Sequence, residues 1–180
     1  MRAFVALSAA AFTVAALAAD SNIDLLHSSL VATFRQQSVS IDAAFRRFEG
    51  EIDYDPARPA ATRATLSVDM ASLDIGDEDS DAEVRKSAWF DTTHFPRATF
   101  RSTSVKPSAA DRIDAAGELT IKGQARPITV TISVQRAGAA FAYDGRFELS
   151  RRGFNIGDPT WNPVLDDKVL VHFHLLAASQ

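Results

Sequence analysis

Two stretches decide the fold of this chain: W-F-D-T-T-H-F-P-R-A-T-F-R-S over residues 89–102 and G-E-L-T-I-K-G-Q-A-R-P-I-T-V over residues 117–130. Neither contains a recognisable catalytic motif. In both, aromatic and β-branched residues recur at every second position and turn-forming residues separate the runs, which is typical of strand–turn–strand structure. A sheet with few helices to cover it must close on itself or stack, and closure creates an interior. What fills that interior is therefore the functional question.

The same alternation continues along the chain and predicts eight strands. The clearest run is I-T-V-T-I-S-V-Q over residues 128–135, with one apolar and one polar face. Seven further segments share the pattern and begin near residues 30, 48, 66, 98, 119, 147 and 169. Lys122-Gly123, Ala137-Gly138 and Asp144-Gly145 are interpreted as turns between neighbouring strands. Strands with one apolar face predict antiparallel pairing around a single interior.

One segment, residues 79–87, is predicted to be helical. Four acidic residues would lie at its N-terminal end, where the helix dipole favours negative charge: Asp77, Glu78, Asp79 and Asp81. Arg85 and Lys86 would lie in its last turn. One short helix cannot cover eight strands, so the predicted fold class is all-β, a closed antiparallel barrel. A barrel of about eight strands can hold one small ligand.

The N-terminus predicts export. Arg2 precedes an apolar stretch over residues 3–17, and Ala16-Leu17-Ala18 offers the small residues that a signal peptidase requires. We therefore expect a signal peptide of residues 1–18 and a mature domain of residues 19–180. The apolar stretch is shorter than the roughly 20 residues of a membrane span, which predicts no stable membrane insertion. The chain has no cysteine, so a hydrophobic core must hold the fold without disulfides.

Charge and motif content exclude several functions. A formal net charge of −4 without a basic cluster argues against nucleic acid as a partner. No G-x-S-x-G elbow and no nucleophilic cysteine occur, and Glu118 and Glu148 alternate outward, so we predict that the protein is not an enzyme. His172 and His174 share one strand face, a spacing that permits metal binding, but the alternation places both outward. We therefore predict no metal site. The edge strands leave a homodimer open.

Seven motifs occur in order along the chain. The two strongest are W-F-D-x-x-x-F-P-x-A-x-F-x-S and G-x-L-T-I-K-G-x-x-R-P-I, which begin at Trp89 and Gly117. The others are D-x-x-H-S-S from Asp24, F-R-R-F-E-G-E-I-D-Y-D-P from Phe45, M-A-S-L-D-I-G from Met70, R-x-x-F-x-I-G from Arg151 and V-x-V-x-F-x-L from Val169. Over nearly the whole mature chain, this set resembles the YceI family of periplasmic, lipocalin-like polyisoprenoid-binding proteins.

The resemblance implies an extended eight-stranded lipocalin-like barrel in the periplasm. It also implies an apolar tunnel around a long isoprenoid chain, either a polyprenyl lipid or a quinone, with no cofactor besides this lipid. Twelve inward apolar residues are the predicted ligand-binding residues: Phe34, Phe48, Ile52, Val68, Met70, Phe100, Leu119, Ile121, Val130, Ile132, Phe147 and Phe173. Burial of hydrocarbon at about 25 cal/mol per Å² would drive binding without specific polar contacts.

The residues alone leave two alternatives open. The same phenylalanines can fill a solid barrel that acts as a structural or protein-interaction module. Small residues at inward positions favour the tunnel, because a packed core requires bulk there: Ala32, Gly50, Ala98 and Ser102. Trp89, Phe90 and Trp161 could form a lid over one end, or a hydrophobic plug that fixes the helix to the barrel.

Overall fold

The computed structural model describes residues 21–179, so the predicted signal peptide of residues 1–18 lies outside the described part of the chain. The described residues form ten strands and one α-helix, joined by short 3-10 turns. The strands are β1 (Ser29–Gln36), β2 (Val39–Phe45), β3 (Phe48–Asp53), β4 (Arg63–Asp69), β5 (Leu73–Asp74), β6 (Arg97–Ala109), β7 (Arg112–Ile121), β8 (Gln124–Ala137), β9 (Ala140–Ser150) and β10 (Lys168–Ala178). The helix α1 spans Glu78–Val84. No helix within residues 21–179 is long and apolar enough to cross a membrane.

All ten strands form one antiparallel sheet in the order β3-β4-β6-β7-β8-β9-β10-β1-β2-β5. Only Arg46 and Arg47 separate β2 from β3, and a single 3-10 turn separates β4 from β5. Each of these pairs is therefore one bent ribbon. The two ribbons remain hydrogen-bonded at the bend, where the Arg46 N–H donates to the Ser72 carbonyl at 3.1 Å and the Asp69 N–H to the Arg47 carbonyl at 3.0 Å. The sheet thus closes on itself through eight ribbons.

The predicted class, an all-β antiparallel lipocalin-like barrel with one short helix, is confirmed, although the sheet has ten strands rather than eight. The sequence pattern missed β2 and β5. Asp42 and two alanines weaken the alternation within β2, and β5 is only two residues long. The bends at residues 46–47 and 70–72 split two ribbons into four strands, which accounts for the difference.

The helix begins where the acidic residues predict but ends earlier than expected. Asp77 is the N-cap, and its carboxylate accepts a hydrogen bond from the Ser80 N–H at 2.9 Å. Arg85 is the C-cap, so the predicted basic last turn is wrong. Lys86 belongs to the following turn, where its carbonyl accepts a hydrogen bond from the Trp89 N–H.

The interpretation of Asp144-Gly145 as a turn is also wrong, because both residues lie inside β9. Gly145 pairs with Phe173 of β10 on one side and with Ile132 of β8 on the other. Its lack of a side chain serves packing rather than a turn. A Cβ built on Gly145 would overlap the Phe173 ring, so glycine here lets the aromatic ring lie against the sheet.

One end of the barrel is closed by its own side chains. Asn22 fixes the N-terminal segment, since its side chain donates to the Ile52 carbonyl at 2.9 Å and accepts from the Ile52 N–H at 3.0 Å. The next residue, Ile23, is then 9% exposed. Tyr54 packs edge-on against Phe141 and Tyr143, with ring centroids 5.0 and 6.0 Å apart. Helix α1 and residues 151–167 lie around the opposite end.

Candidate ligand-binding cavity

The barrel encloses a cavity of about 430 Å³ whose wall is almost entirely apolar. This volume lies in the range of small-molecule sites, roughly 300–1,000 Å³. Eleven of the twelve residues predicted to bind ligand line it: Phe34, Ile52, Val68, Met70, Phe100, Leu119, Ile121, Val130, Ile132, Phe147 and Phe173. Phe48 is the exception: it is 6% exposed and packs in the core, but it does not line the cavity. The interior is open rather than solid.

Two glycines help to keep the cavity open. A Cβ on Gly117 would overlap the Phe100 ring, as one on Gly145 would overlap the Phe173 ring. Each ring therefore lies over the bare backbone of a neighbouring strand instead of projecting straight across the barrel. Both phenylalanines still line the cavity. Large apolar side chains can thus cover the wall while space remains in the middle.

The small residues divide into two groups. Ala32 and Ala98 line the cavity, as expected for positions that leave space. Gly50 does not, because the space beside it is filled by the Ile23 side chain and the neighbouring strand. Ser102 instead accepts a hydrogen bond from the Ala64 N–H at 2.9 Å.

Sequence reasoning missed several lining residues on β2 and β7. Ile41, Ala43 and Phe45 alternate along β2, and Ala115 follows the inward positions of β7. The period-two pattern was present in both strands, but alanine at inward positions made it weak.

The mouth of the cavity lies beside α1. There the lining residues are partly exposed: Ser80, Glu83, Trp89, Phe90 and Trp161. At the opposite end every one of the following lining residues is less than 10% exposed: Ile23, Ile52, Val105, Ile113 and Tyr143. Trp89 and Trp161 approach each other across the mouth with ring centroids 5.8 Å apart. The aromatic pair both narrows the opening and joins the two segments that border it.

Arg151 organises the segment on one side of the mouth. It lines the cavity and is only 3% exposed. Its guanidinium donates four hydrogen bonds, to the carbonyls of Ile156 (3.0 Å), Leu165 (3.0 Å) and Asp166 (3.0 Å) and to Asn162 Oδ1 (2.7 Å). Burial lowers the pKa of Arg151 from its usual value, while the charge of Asp167 opposes that shift. The sequence presented this residue only as the first letter of a motif, with no sign that it would be buried.

Lys122 ties the two sides of the mouth together. Its ammonium donates to the carbonyls of Ser87 and Asn155, each at 2.8 Å. Ser87 belongs to the segment after α1, and Asn155 to the segment organised by Arg151. Burial lowers the pKa of Lys122, and the charge of Asp91 acts in the opposite direction. One side chain thus fixes both borders of the opening.

Polar groups are sparse at the closed end. Thr62 lines the cavity and is 7% exposed, and its Oγ1 is the one buried side-chain polar atom of residues 21–179 without a hydrogen-bond partner. Tyr143 also lines this end. Burial, and secondarily Tyr54, raises the pKa of the Tyr143 hydroxyl, which is therefore protonated at neutral pH.

The other candidate residues lie on the outer surface. Glu118, Glu148 and His172 are exposed. His174 interacts through Nδ1 with Asp144 Oδ1 at 2.7 Å. Within the described residues, no group of three or more His, Asp or Glu side chains is arranged to hold a metal ion.

A closed antiparallel barrel around one apolar cavity defines a lipocalin-like protein. Comparison with known proteins narrows the class. A family model described as the YceI-like domain matches residues 22–177. A UPF0312 protein of Vibrio cholerae is 32% identical over 153 residues, which are 79% of this chain and 81% of that protein. Protein YceI of Shigella flexneri is 31% identical over 152 residues, 78% of each chain. The chain therefore belongs to the YceI-like family.

Two solved structures support the fold. The crystal structure of BcnA from Burkholderia cenocepacia is 35% identical, with a TM-score of 0.84 over 87% of this chain and 99% of that one. A polyisoprenoid-binding domain from Saccharophagus degradans, implicated in plant cell wall breakdown, is 19% identical, with a TM-score of 0.73 over 88% of this chain and 97% of that one. The second similarity concerns the fold alone.

Proposed function

We propose that this protein is a periplasmic carrier that encloses a long-chain isoprenoid lipid, a polyprenyl lipid or a quinone, in its barrel cavity. The observation that carries the proposal is the apolar wall, which runs from the mouth beside α1 to the closed end near Tyr143. Water finds few hydrogen-bond partners on such a wall. A hydrocarbon chain, in contrast, gains about 25 cal/mol of binding free energy for each Å² of apolar surface that it buries there. The predicted signal peptide of residues 1–18 supports the periplasmic location.

Family membership and wall chemistry favour binding over catalysis. A neighbour of the same fold is described as polyisoprenoid-binding. Within the described residues, the cavity wall carries no pair of carboxylates and no histidine that could transfer protons. An isoprenoid chain also suits the cavity, because a branched, flexible hydrocarbon requires a wide apolar space and no directional polar contacts.

The test is to fill the cavity without changing the outer surface. Ala115 lines the cavity and is 3% exposed, while Ala116, its neighbour on β7, faces the other side of the sheet. We expect Ala115→Phe to reduce the affinity for geranylgeraniol by at least about tenfold, because the new ring occupies the lumen. The matched variant Ala116→Phe should bind like wild type. Circular dichroism checks that both variants fold, and equal binding by both would contradict a cavity site.

A further inference from the structure

The guanidinium of Arg151 is a buried cation without a carboxylate partner. Within residues 21–179 its four acceptors are all uncharged oxygens, three backbone carbonyls and the Asn162 amide. A guanidinium has five N–H groups, so one N–H on Nη1 is not used by these bonds. Charged side chains are rarely buried unless they are paired, because desolvation costs several kcal/mol. The charge of Asp167 acts on the guanidinium without a hydrogen bond to it, so Arg151 retains one unused N–H donor at the cavity wall.

This charge lies next to the aromatic pair at the mouth. A Cβ placed on Gly157 would be 2.8 Å from Arg151 Nη1 and 3.1 Å from Trp89 Cζ3, so the guanidinium and the indole converge on the same glycine. Trp161 lies 5.8 Å from Trp89, between ring centroids. All three side chains line the cavity. A donor, a positive charge and two aromatic faces thus meet at one end of an otherwise apolar wall.

One acidic residue also lines the mouth, and it is already paired. Glu83 accepts hydrogen bonds from the Lys86 ammonium and from the Trp89 side chain, which lower the pKa of its carboxyl. Its negative charge is balanced by Lys86 on the solvent side. Arg151 instead has an unused N–H, so the polar preference of the mouth is for a hydrogen-bond acceptor.

We propose that Arg151, Trp89 and Trp161 form a head-group subsite for an electron-rich oxygen, a carbonyl or a phosphate, on the enclosed lipid. The inference rests on the proposed function and adds the orientation of the ligand. The head group lies at the mouth, where Arg151 donates to its oxygen and the indoles contact its faces. The chain then extends toward Tyr143 at the closed end. A cationic head group is disfavoured, because it would face the buried guanidinium.

The first test compares ligands that share one C20 isoprenoid chain. These are geranylgeranyl phosphate, menaquinone-4, the corresponding hydrocarbon and geranylgeranylamine. The chain contains two tryptophans, Trp89 and Trp161, so intrinsic fluorescence reports directly on the mouth. We expect the phosphate or the quinone to bind at least about tenfold more tightly than the hydrocarbon, and the amine to bind most weakly. If geranylgeranyl phosphate binds more tightly than menaquinone-4, the preferred acceptor is a phosphate; if menaquinone-4 binds more tightly, it is a carbonyl.

The second test removes the charge. Arg151→Met should abolish the preference among head groups while the hydrocarbon still binds. Arg152→Met is the matched control, because Arg152 is the adjacent arginine but its side chain is 59% exposed and paired with Asp167. It should retain the preference. Since Arg151→Met also removes four hydrogen bonds from the mouth, the wild-type ligand series remains decisive if this variant fails to fold.

The two proposals fail in different ways. Equal affinity of wild type for all four ligands would overturn the head-group subsite and leave the carrier function intact. Absence of binding by all four would overturn the carrier function itself. Tighter binding of the amine than of the phosphate would also overturn the subsite, because it would require a negative rather than a positive mouth.

Discussion

At the scale of single residues, the contact between Gly145 and Phe173 determines how much of the barrel remains open. The ring lies over the glycine in the position that a Cβ would occupy. The overlapping atom is at the far end of a flexible side chain, so a substitution would move the ring rather than the backbone. The ring could only move toward the lumen, since the sheet lies behind it.

We predict that Gly145→Ala lowers ligand affinity by about tenfold, because the displaced Phe173 ring reduces the cavity that the chain occupies. The measurement is a fluorescence titration with geranylgeraniol. The double variant Gly145→Ala/Phe173→Leu is the control, because the smaller side chain restores the lost space and should recover most of the affinity. A double variant as weak as the single one would contradict this account.

A second residue-scale prediction concerns the Thr62 hydroxyl, which is buried without a partner. An unsatisfied buried hydroxyl costs about 1–3 kcal/mol, so Thr62→Val should raise the free energy of unfolding or leave it unchanged. Thr131→Val is the contrasting variant, because Thr131 Oγ1 donates to Asp114 at 2.7 Å and its loss should destabilise slightly. Urea denaturation measures both. Destabilisation by Thr62→Val of more than about 1 kcal/mol would indicate that the hydroxyl has a partner after all.

At the scale of elements, the mouth depends on the two segments that Lys122 joins, the turns after α1 and residues 151–167. Replacing the ammonium by an apolar end would release the carbonyls of Ser87 and Asn155. We predict that Lys122→Met increases the dissociation rate of a bound prenyl lipid by roughly tenfold, since opening of local segments limits release from closed sites. Stopped-flow displacement measures the rate.

The control for this variant is Lys86→Met. Lys86 follows α1 directly and pairs with Glu83, but its side chain is 65% exposed and does not line the cavity. Its removal should leave the dissociation rate near the wild-type value. Equal acceleration by both variants would show that charge at the mouth, rather than the joining of two segments, controls release.

The segment from Arg151 to Asp167 should also give the protein a defined acid sensitivity. Arg152 and Ser150 donate to the Asp167 carboxylate, and the Arg152 side chain is the principal reason that the pKa of Asp167 falls to about 2 from its usual 3.8. A depressed folded-state pKa contributes stability that is present above pH 4 and is lost as the pH falls through about 2.

Asp167→Asn removes this contribution. We predict that it lowers the free energy of unfolding by up to about 2 kcal/mol at pH 7 and that the difference from wild type disappears near pH 2. Urea denaturation at several pH values measures it. A difference that persists unchanged at pH 2 would show that Asp167 acts through shape rather than charge.

The elements also show what the sequence can and cannot predict. The central part of β8 and eleven cavity residues follow from period-two alternation, because apolar residues occupy every second position in the segments that contain them. Strand β2 was missed since its inward alanine gives little hydrophobic signal. Gly145 was assigned to a turn because Asp-Gly is a common turn pair, and only the ring of a residue 28 positions later reveals its packing role. The burial of Arg151 likewise depends on acceptors from a folded segment that no local pattern indicates.

At the scale of the whole molecule, one cavity serves as both core and site. Closure through the two bent ribbons leaves few exposed strand edges, and the residues that would fill a solid barrel instead surround a lumen. A protein of this kind gives up some packing in the empty state. Ligand binding should recover this stability. At a free ligand concentration of 100 times the Kd, the free energy of unfolding rises by about 2.7 kcal/mol.

Mass spectrometry of the organic extract from protein purified natively from the periplasm shows directly whether the cavity holds an isoprenoid lipid. We expect one isoprenoid molecule per protein molecule in wild type and its loss in Ala115→Phe. An extract without isoprenoid, and still without it after incubation of the protein with menaquinone-4 and geranylgeranyl phosphate, would contradict the claim.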